Sequence, residues 1–295
     1  AGAALTRPPV GEANRFFRLS IDDTNVGPFL AQEALARGCA RVGVVLTGSP
    51  WGLSTAGIVD RGLADRGLTD VPHIKVPMRA GVSAMENAAR EIIATRVDCL
   101  MVILGPKAGV HLLNALAAYP TPPRIFGHWG LLGINLPDHV PYDTRELLEL
   151  RVLQTCGLAI ERSGSPVLRE ALLDARRIDP GVTSLSSIPA PAGFVHGHDL
   201  GLVLAAAVTQ ARRTPLWHEG AAGRRQALQA ALEHLDQPVT GILRTYAPPF
   251  APVTPQTGAG HEALGLGDLC LARYDAFGRL TDDTFGAPSP GGGTK

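Results

Sequence analysis

Ser49 lies in the turn Gly48-Ser49-Pro50-Trp51-Gly52, between an apolar run and a helical pattern. A serine on a strand-to-helix turn can act as a nucleophile when it sits in G-x-S-x-G and the next residue offers an N–H to an oxyanion. This turn has neither property, because Pro50 carries no N–H, so Ser49 reads as a turn residue or a hydrogen-bonding contact for a ligand. Phosphate loops need G-x-x-x-x-G-K-[ST] or G-x-G-x-x-G. The nearest imitation, Gly105-Pro106-Lys107-Ala108-Gly109, fits neither, and Lys107 reads as a solvated residue of a first helical turn. His196, His198 and Asp199 form H-x-H-D, a spacing that binds zinc when a third ligand arrives from elsewhere. Asp199 also suits a helix N-cap, and that simpler reading is preferred, with no metal and no cofactor called for. Trp51 and Trp129 each follow an apolar run, and two indoles at one sheet edge offer flat surfaces on which a ligand can stack.

The elements that would position these groups alternate. Asp22, Asp23, Thr24 and Asn25 are N-cap candidates for a helix marked by Val26, Leu30 and Ala34 and ended at Gly38. Arg41 to Leu46 reads as a buried strand, and Leu53, Ala56, Val59 and Leu63 as the inner face of the helix that follows. His73 to Val76 is a short strand, and Ser83 with Glu86 is a capping-box signal for a helix through Thr95. Cys99 to Leu104 is the most apolar strand and ends at Gly105-Pro106, before a helix faced by Val110, Leu113 and Leu116. Ile125 to Gly127 is a further strand, carrying His128 and Trp129 at its carboxyl end. Such alternation implies a parallel sheet with helices on both faces. In an open sheet of this kind ligands sit beyond the carboxyl ends of the strands. Ser49, Trp51, Gly52, Gly105, Pro106, His128 and Trp129 are therefore the candidate binding residues, and no catalytic set converges there.

Farther on, Leu150 to Leu153 reads as a strand and Val167 to Ala175 as a helix. Leu200, Val203, Leu204, Ala207 and Ala211 mark one amphipathic helix and Leu228, Leu232 and Leu235 another. Ile242 to Tyr246 and Leu269 to Tyr274 read as strands, the second leading into a tight turn at Asp275 to Gly278.

The 295 residues, 45% hydrophobic and 18% charged, suffice for one large domain or two lobes. Lys+Arg and Asp+Glu balance at 27 each, so charge gives no pointer to nucleic acid or an anionic membrane, and suggests a small partner, uncharged overall. Four scattered cysteines, Cys39, Cys99, Cys156 and Cys270, suggest no zinc site and no dense disulfide framework; Cys99 reads as a small buried hydrophobe. No apolar stretch approaches the ~20 residues of a membrane span.

The segments FFRLSIDD and FLAQEALARGCARVGVVLTGSPWG, followed by VDCLMVILGPKAG, RIFGHWG, GFVHGHDLGLVLAAAVTQA and VTGILR, resemble the type I periplasmic binding proteins of the branched-chain amino-acid (Leu/Ile/Val) transport class. The resemblance implies an α/β fold of two Rossmann-like lobes with parallel sheets, closing on a small ligand. It further implies a chain lacking the N-terminal half of its first lobe, since AGAALTRPP matches the end of that lobe's cleft loop. Residues 1–19 would cross the hinge, 20–185 would form the second lobe, and 186–295 would supply the C-terminal part of the first, its helices left with exposed apolar faces. By the same resemblance Trp51 takes the place of the second-lobe aromatic, while Trp129 stands where an acidic partner for a ligand's amino group is expected.

The function this implies is an extracytoplasmic, periplasmic solute-binding receptor. It would capture an amino acid, an amide or a related acid and deliver it to the membrane permease of an ABC transporter. A ligand-binding sensor domain of a membrane receptor or histidine kinase is the alternative; a cytoplasmic enzyme on a doubly wound sheet would need an acid/base or nucleophile set, and none is found.

Overall fold

A computed structural model describes residues 14–157, 164–253 and 260–284. They fall into two compact units: a sheet unit of residues 23–157, 188–190 and 269–284, and a helical unit of 14–22, 164–187, 191–253 and 260–268.

The sheet unit is built by strand–helix alternation. Helix α1 (Val26–Ala36) leads through Gly38, at φ +76°, into β1 (Val42–Thr47), every residue of which is buried. Helix α2 (Pro50–Ala64) and β2 (His73–Val76) follow, then α3 (Val82–Thr95), β3 (Cys99–Ile103), α4 (Pro106–Leu116), β4 (Arg124–Gly127), the short α5 (Tyr142–Leu147) and β5 (Arg151–Thr155). The strands align β2-β1-β3-β4-β5, all parallel, in register pairs such as Val45 with Val102 and Met101 with Phe126. The strands β1 and β3 are buried throughout, and apolar but for Thr47, because both sheet faces are covered; Val45, Leu100, Val102, Met85, Ile92, Leu112 and Leu113 share one core. Two antiparallel strands, β8 (Leu269–Tyr274) and β9 (Leu280–Asp282), extend the sheet beyond β5. The sheet thus takes in a segment the resemblance assigned to the C-terminal part of the other lobe. In the turn between β8 and β9 Gly278 has φ +75°, and the Asp275 carboxylate accepts from the N–H groups of Phe277 and Arg279.

Several local expectations are corrected here. Helix α3 starts one residue after Gly81, its N-cap, so Ser83 is inside the helix and no capping box forms. Leu53 is exposed; α2 turns Thr55, Ala56, Ile58, Val59, Gly62 and Leu63 inward instead, with Gly62 lying against the backbone of Gly27, where a Cβ would come within 2.4 Å. Cys99 is not a free buried thiol. It is joined to Cys39, and Cys156 to Cys270, with Cα separations of 5.8 and 4.9 Å. Strand alignment brings these pairs together over 60 and 114 residues of sequence, which local spacing does not reveal.

The helical unit contains α6 (Pro166–Ile178), α7 (Pro191–Ala211), α8 (Gly220–Glu233) and a hairpin of two-residue strands, β6 (Val239–Thr240) and β7 (Thr245–Tyr246). The continuous strand expected over Ile242 to Tyr246 is therefore a turn and one arm of that hairpin. On α7 the buried positions are Val195, Asp199, Val203, Ala207 and Ala211, a strict i, i+4 stripe facing Ala227, Ala231 and Leu232 of α8 and the side chains of Tyr246 and Phe250. Leu200 and Leu204, expected inside, are 41% and 43% exposed. At the C-terminal end of the stripe Ala207 and Ala211 share a core with Ala227 and Ala231, and the bulkier Leu200 and Leu204 are left outside.

Candidate functional site

In the order 2-1-3-4-5 the chain reverses direction of growth between β1 and β3, which is where the loops after the strands diverge and leave a crevice. The loop after β1 carries Ser49 and Trp51; the loop after β3 carries Gly105 and Pro106; the turn after β4 carries His128 and Trp129.

Ser49 is the N-cap of α2, with an extended backbone, and its Oγ accepts from the N–H of Gly52 at 3.1 Å. Pro50 occupies the first helical position, where its missing N–H costs nothing. Gly52 is buried against β1: a Cβ there would lie 2.1 Å from the carbonyl oxygen of Thr47. Ser49 and Gly52 are thus committed to shaping the turn that projects Trp51. Gly105 caps α4 and Pro106 begins it; a Cβ on Gly105 would meet open space, while Pro106 packs beside Gly133.

His128 is fully buried at the end of β4, between the two tryptophans. Its ring lies edge-to-face with Trp51 at 5.2 Å and with Trp129 at 5.1 Å between centroids. Its Nδ1 accepts from the N–H of Gly130 at 3.1 Å. Its Nε2 faces a carboxylate that sequence reasoning treated only as an N-cap candidate: Asp23, also fully buried, with Oδ1 3.6 Å away. The N-cap of α1 is Asn25. Gly130 completes the set, since a Cβ there would lie 2.9 Å from the Trp51 ring and 2.8 Å from the carbonyl oxygen of Leu104. Trp51 and Trp129 are half-buried, each leaving part of its indole accessible. The ends of β1 and β4 therefore bring together two half-buried indoles, one buried imidazole and one buried carboxylate.

The sequence of this chain matches no family model and no curated protein. Its fold does match solved structures. An ABC-transporter substrate-binding protein from Aeropyrum pernix superposes with a TM-score of 0.64 at 18% identity, over 93% of this chain and 67% of its own. A solute-binding protein of an ABC transporter from R. palustris, solved with benzoate, gives 0.62 at 14% identity over 91% and 64%. A substrate-binding protein from Desulfitobacterium hafniense, solved with Leu, gives 0.56 at 14% over 89% and 65%. The chain has the type I periplasmic-binding-protein fold. It spans about two thirds of the length of these type I proteins.

Other clusters in this type I chain are structural. The Asp199 carboxylate of the H-x-H-D motif is no N-cap: it lies inside α7, fully buried, and accepts from the N–H groups of Ile242 and Leu243 at 2.6 and 3.0 Å and from the Tyr246 hydroxyl at 2.9 Å. Burial and this neighbouring carboxylate push the Tyr246 phenol well above its usual range. Among the described residues the cluster with metal-ligand spacing is Cys39, Asp98 and Cys99, whose two sulfurs are consumed by their disulfide.

Proposed function

We propose that this protein is an extracytoplasmic solute-binding receptor that captures a small organic ligand, an amino acid, an amide or a related acid, for import through the permease of an ABC-type transporter. The observation that carries the proposal is the aromatic wall of Trp51 and Trp129 at the carboxyl ends of a parallel sheet, on a fold shared with solved solute-binding proteins. Two disulfides support an oxidising compartment. Neighbours solved with benzoate and with Leu favour a ligand with a flat or branched apolar part, which matches what two indoles hold well. The sheet unit takes the role of the second lobe, and Trp51 is its main ligand contact.

A thermal-shift screen of amino acids, amides, aromatic acids and short-chain acids, followed by calorimetry on each hit, tests this. A ligand at 100 times its Kd raises stability by about 2.7 kcal/mol, enough to detect. Trp51→Ala is expected to weaken binding about tenfold or more, equivalent to ~1.4 kcal/mol, while the protein still folds. Unchanged affinity removes Trp51 from the site; no response to any ligand class overturns the receptor reading.

A further inference from the structure

We infer that Asp23 is a positioning residue: through His128 it sets the orientation of Trp51 and Trp129, and so the shape of the stacking wall. The inference rests on the reading of that wall as the ligand contact.

The chain of contacts is short. The Gly130 N–H donates to Nδ1 of His128, so that nitrogen must present its lone pair and the ring's proton sits on Nε2. That Nε2 is directed toward Asp23, at 3.6 Å, and neither it nor either Asp23 oxygen has a hydrogen-bond partner among the described residues. With both groups fully buried, the attraction between the carboxylate and the Nε2–H dipole acts in a poorly screening surrounding. It therefore favours one tautomer and one ring plane. Burying a carboxylate without hydrogen bonds is costly, and such groups in native structures call for a reason. Here the reason is the histidine it faces. The oriented ring then supplies its edge and face to both indoles, at 5.2 and 5.1 Å. Trp51 also packs close to Gly130, the residue whose N–H fixes the ring: a Cβ there would lie 2.9 Å from the indole. Carboxylate, imidazole, backbone N–H and indole thus form one connected set, and a change at Asp23 reaches Trp51 through His128.

Nitrogen-15 spectra of the full chain labelled at histidine test this without a ligand. The resonance of His128 among the nine histidines is identified by its loss in His128→Gln. In the wild-type protein Nδ1 is expected to be pyridine-like and Nε2 pyrrole-like; the opposite tautomer overturns the inference with no variant needed. Asp23→Asn, which keeps the shape of the side chain but removes its charge, is expected to shift the His128 Nε2 resonance with Nδ1 still pyridine-like, because the Gly130 N–H is unchanged, and to remove about half of the tryptophan near-ultraviolet dichroism. Asp23→Glu, which keeps the charge, is expected to retain more of both signals than Asp23→Asn. An unchanged tryptophan spectrum in Asp23→Asn shows a merely structural Asp23 and overturns the proposal. These readouts are independent of ligand affinity, so failure of the receptor reading in the Trp51→Ala experiment is distinguishable from failure here.

Discussion

The two units satisfy their buried backbone in different ways. In the sheet unit the N–H and C=O groups of β1, β3, β4 and β5 pair with one another in a continuous set of parallel ladders, five residue pairs long between β1 and β3, and two disulfides add covalent ties between segments distant in sequence. The helical unit has among its described residues a ladder of only two residue pairs, between β6 and β7. The N–H groups of Ile242 and Leu243 at its turn have no strand beside them, and a side-chain carboxylate from the middle of α7 takes the place of one. The lesson is that a buried acid can serve as a piece of sheet edge. A ladder spreads its stability over many equivalent bonds, whereas the carboxylate concentrates it in one residue.

Three experiments break or sharpen that contrast. Reducing the disulfides is expected to destabilise the sheet unit most, by about 2–5 kcal/mol for each bridge, with the larger loss from Cys156–Cys270, which closes the longer loop. Denaturant unfolding of Cys156→Ser/Cys270→Ser against the native protein measures it; equal stability of the two would show that the β5–β8 ladder alone holds β8.

Next in size, Asp199→Ala strands two backbone N–H groups and the Tyr246 hydroxyl at once. A loss of about 3 kcal/mol is expected, since each hydrogen bond to a charged group contributes about 1.5–3 kcal/mol and the three are not independent. Hydrogen exchange should accelerate over residues 239–246 and stay unchanged in β1 and β3. Acceleration throughout both units would erase the distinction drawn here.

The smallest effect is a difference in acid response. Burial holds the His196 imidazole below its usual 6.5, against the opposing pull of the Leu19 backbone and Asp199. The native state therefore resists a proton that the unfolded chain accepts, so stability of the helical unit is full above pH 6.5 and declines as pH falls below it. In the sheet unit burial pushes the Asp275 carboxyl up, but hydrogen bonds from the backbone and side chain of Arg279 and from the Phe277 N–H outweigh it and leave it below 3.8. Its contribution is present above pH 3.8 and is lost as pH falls through the lowered value. Protection factors, the exchange rates relative to those of the unfolded chain at the same pH, measured from pH 7 to 4 should fall first around α7. His196→Gln should flatten that fall, and a fall that persists in this variant would assign the acid response to other groups.

Much of the sheet unit could be read from one dimension. An apolar run such as Val42 to Leu46 has one stable place, inside a sheet covered on both faces, and Pro50 and Pro106 mark the first positions of the helices that follow. Leu200 and Leu204 could not be placed in the same way. The helix is apolar nearly all round, so periodicity did not say which stripe would face α8; the stripe that carries Asp199, whose carboxylate is bonded by Ile242 and Leu243, is the one buried.

For the two tryptophans, the sequence by itself determined that Trp51 and Trp129 follow strands, because strand–turn–helix order is local and turn residues announce it. Only the tertiary structure decided that His128 stands between them, that Asp23 faces its far nitrogen, that Cys39 meets Cys99 and that Asp199 serves a hairpin. Each of these is a contact between segments far apart in the chain, set by strand order and helix packing. A carboxylate or a thiol looks the same in sequence whether it will cap a helix, face solvent or be enclosed beside one particular partner.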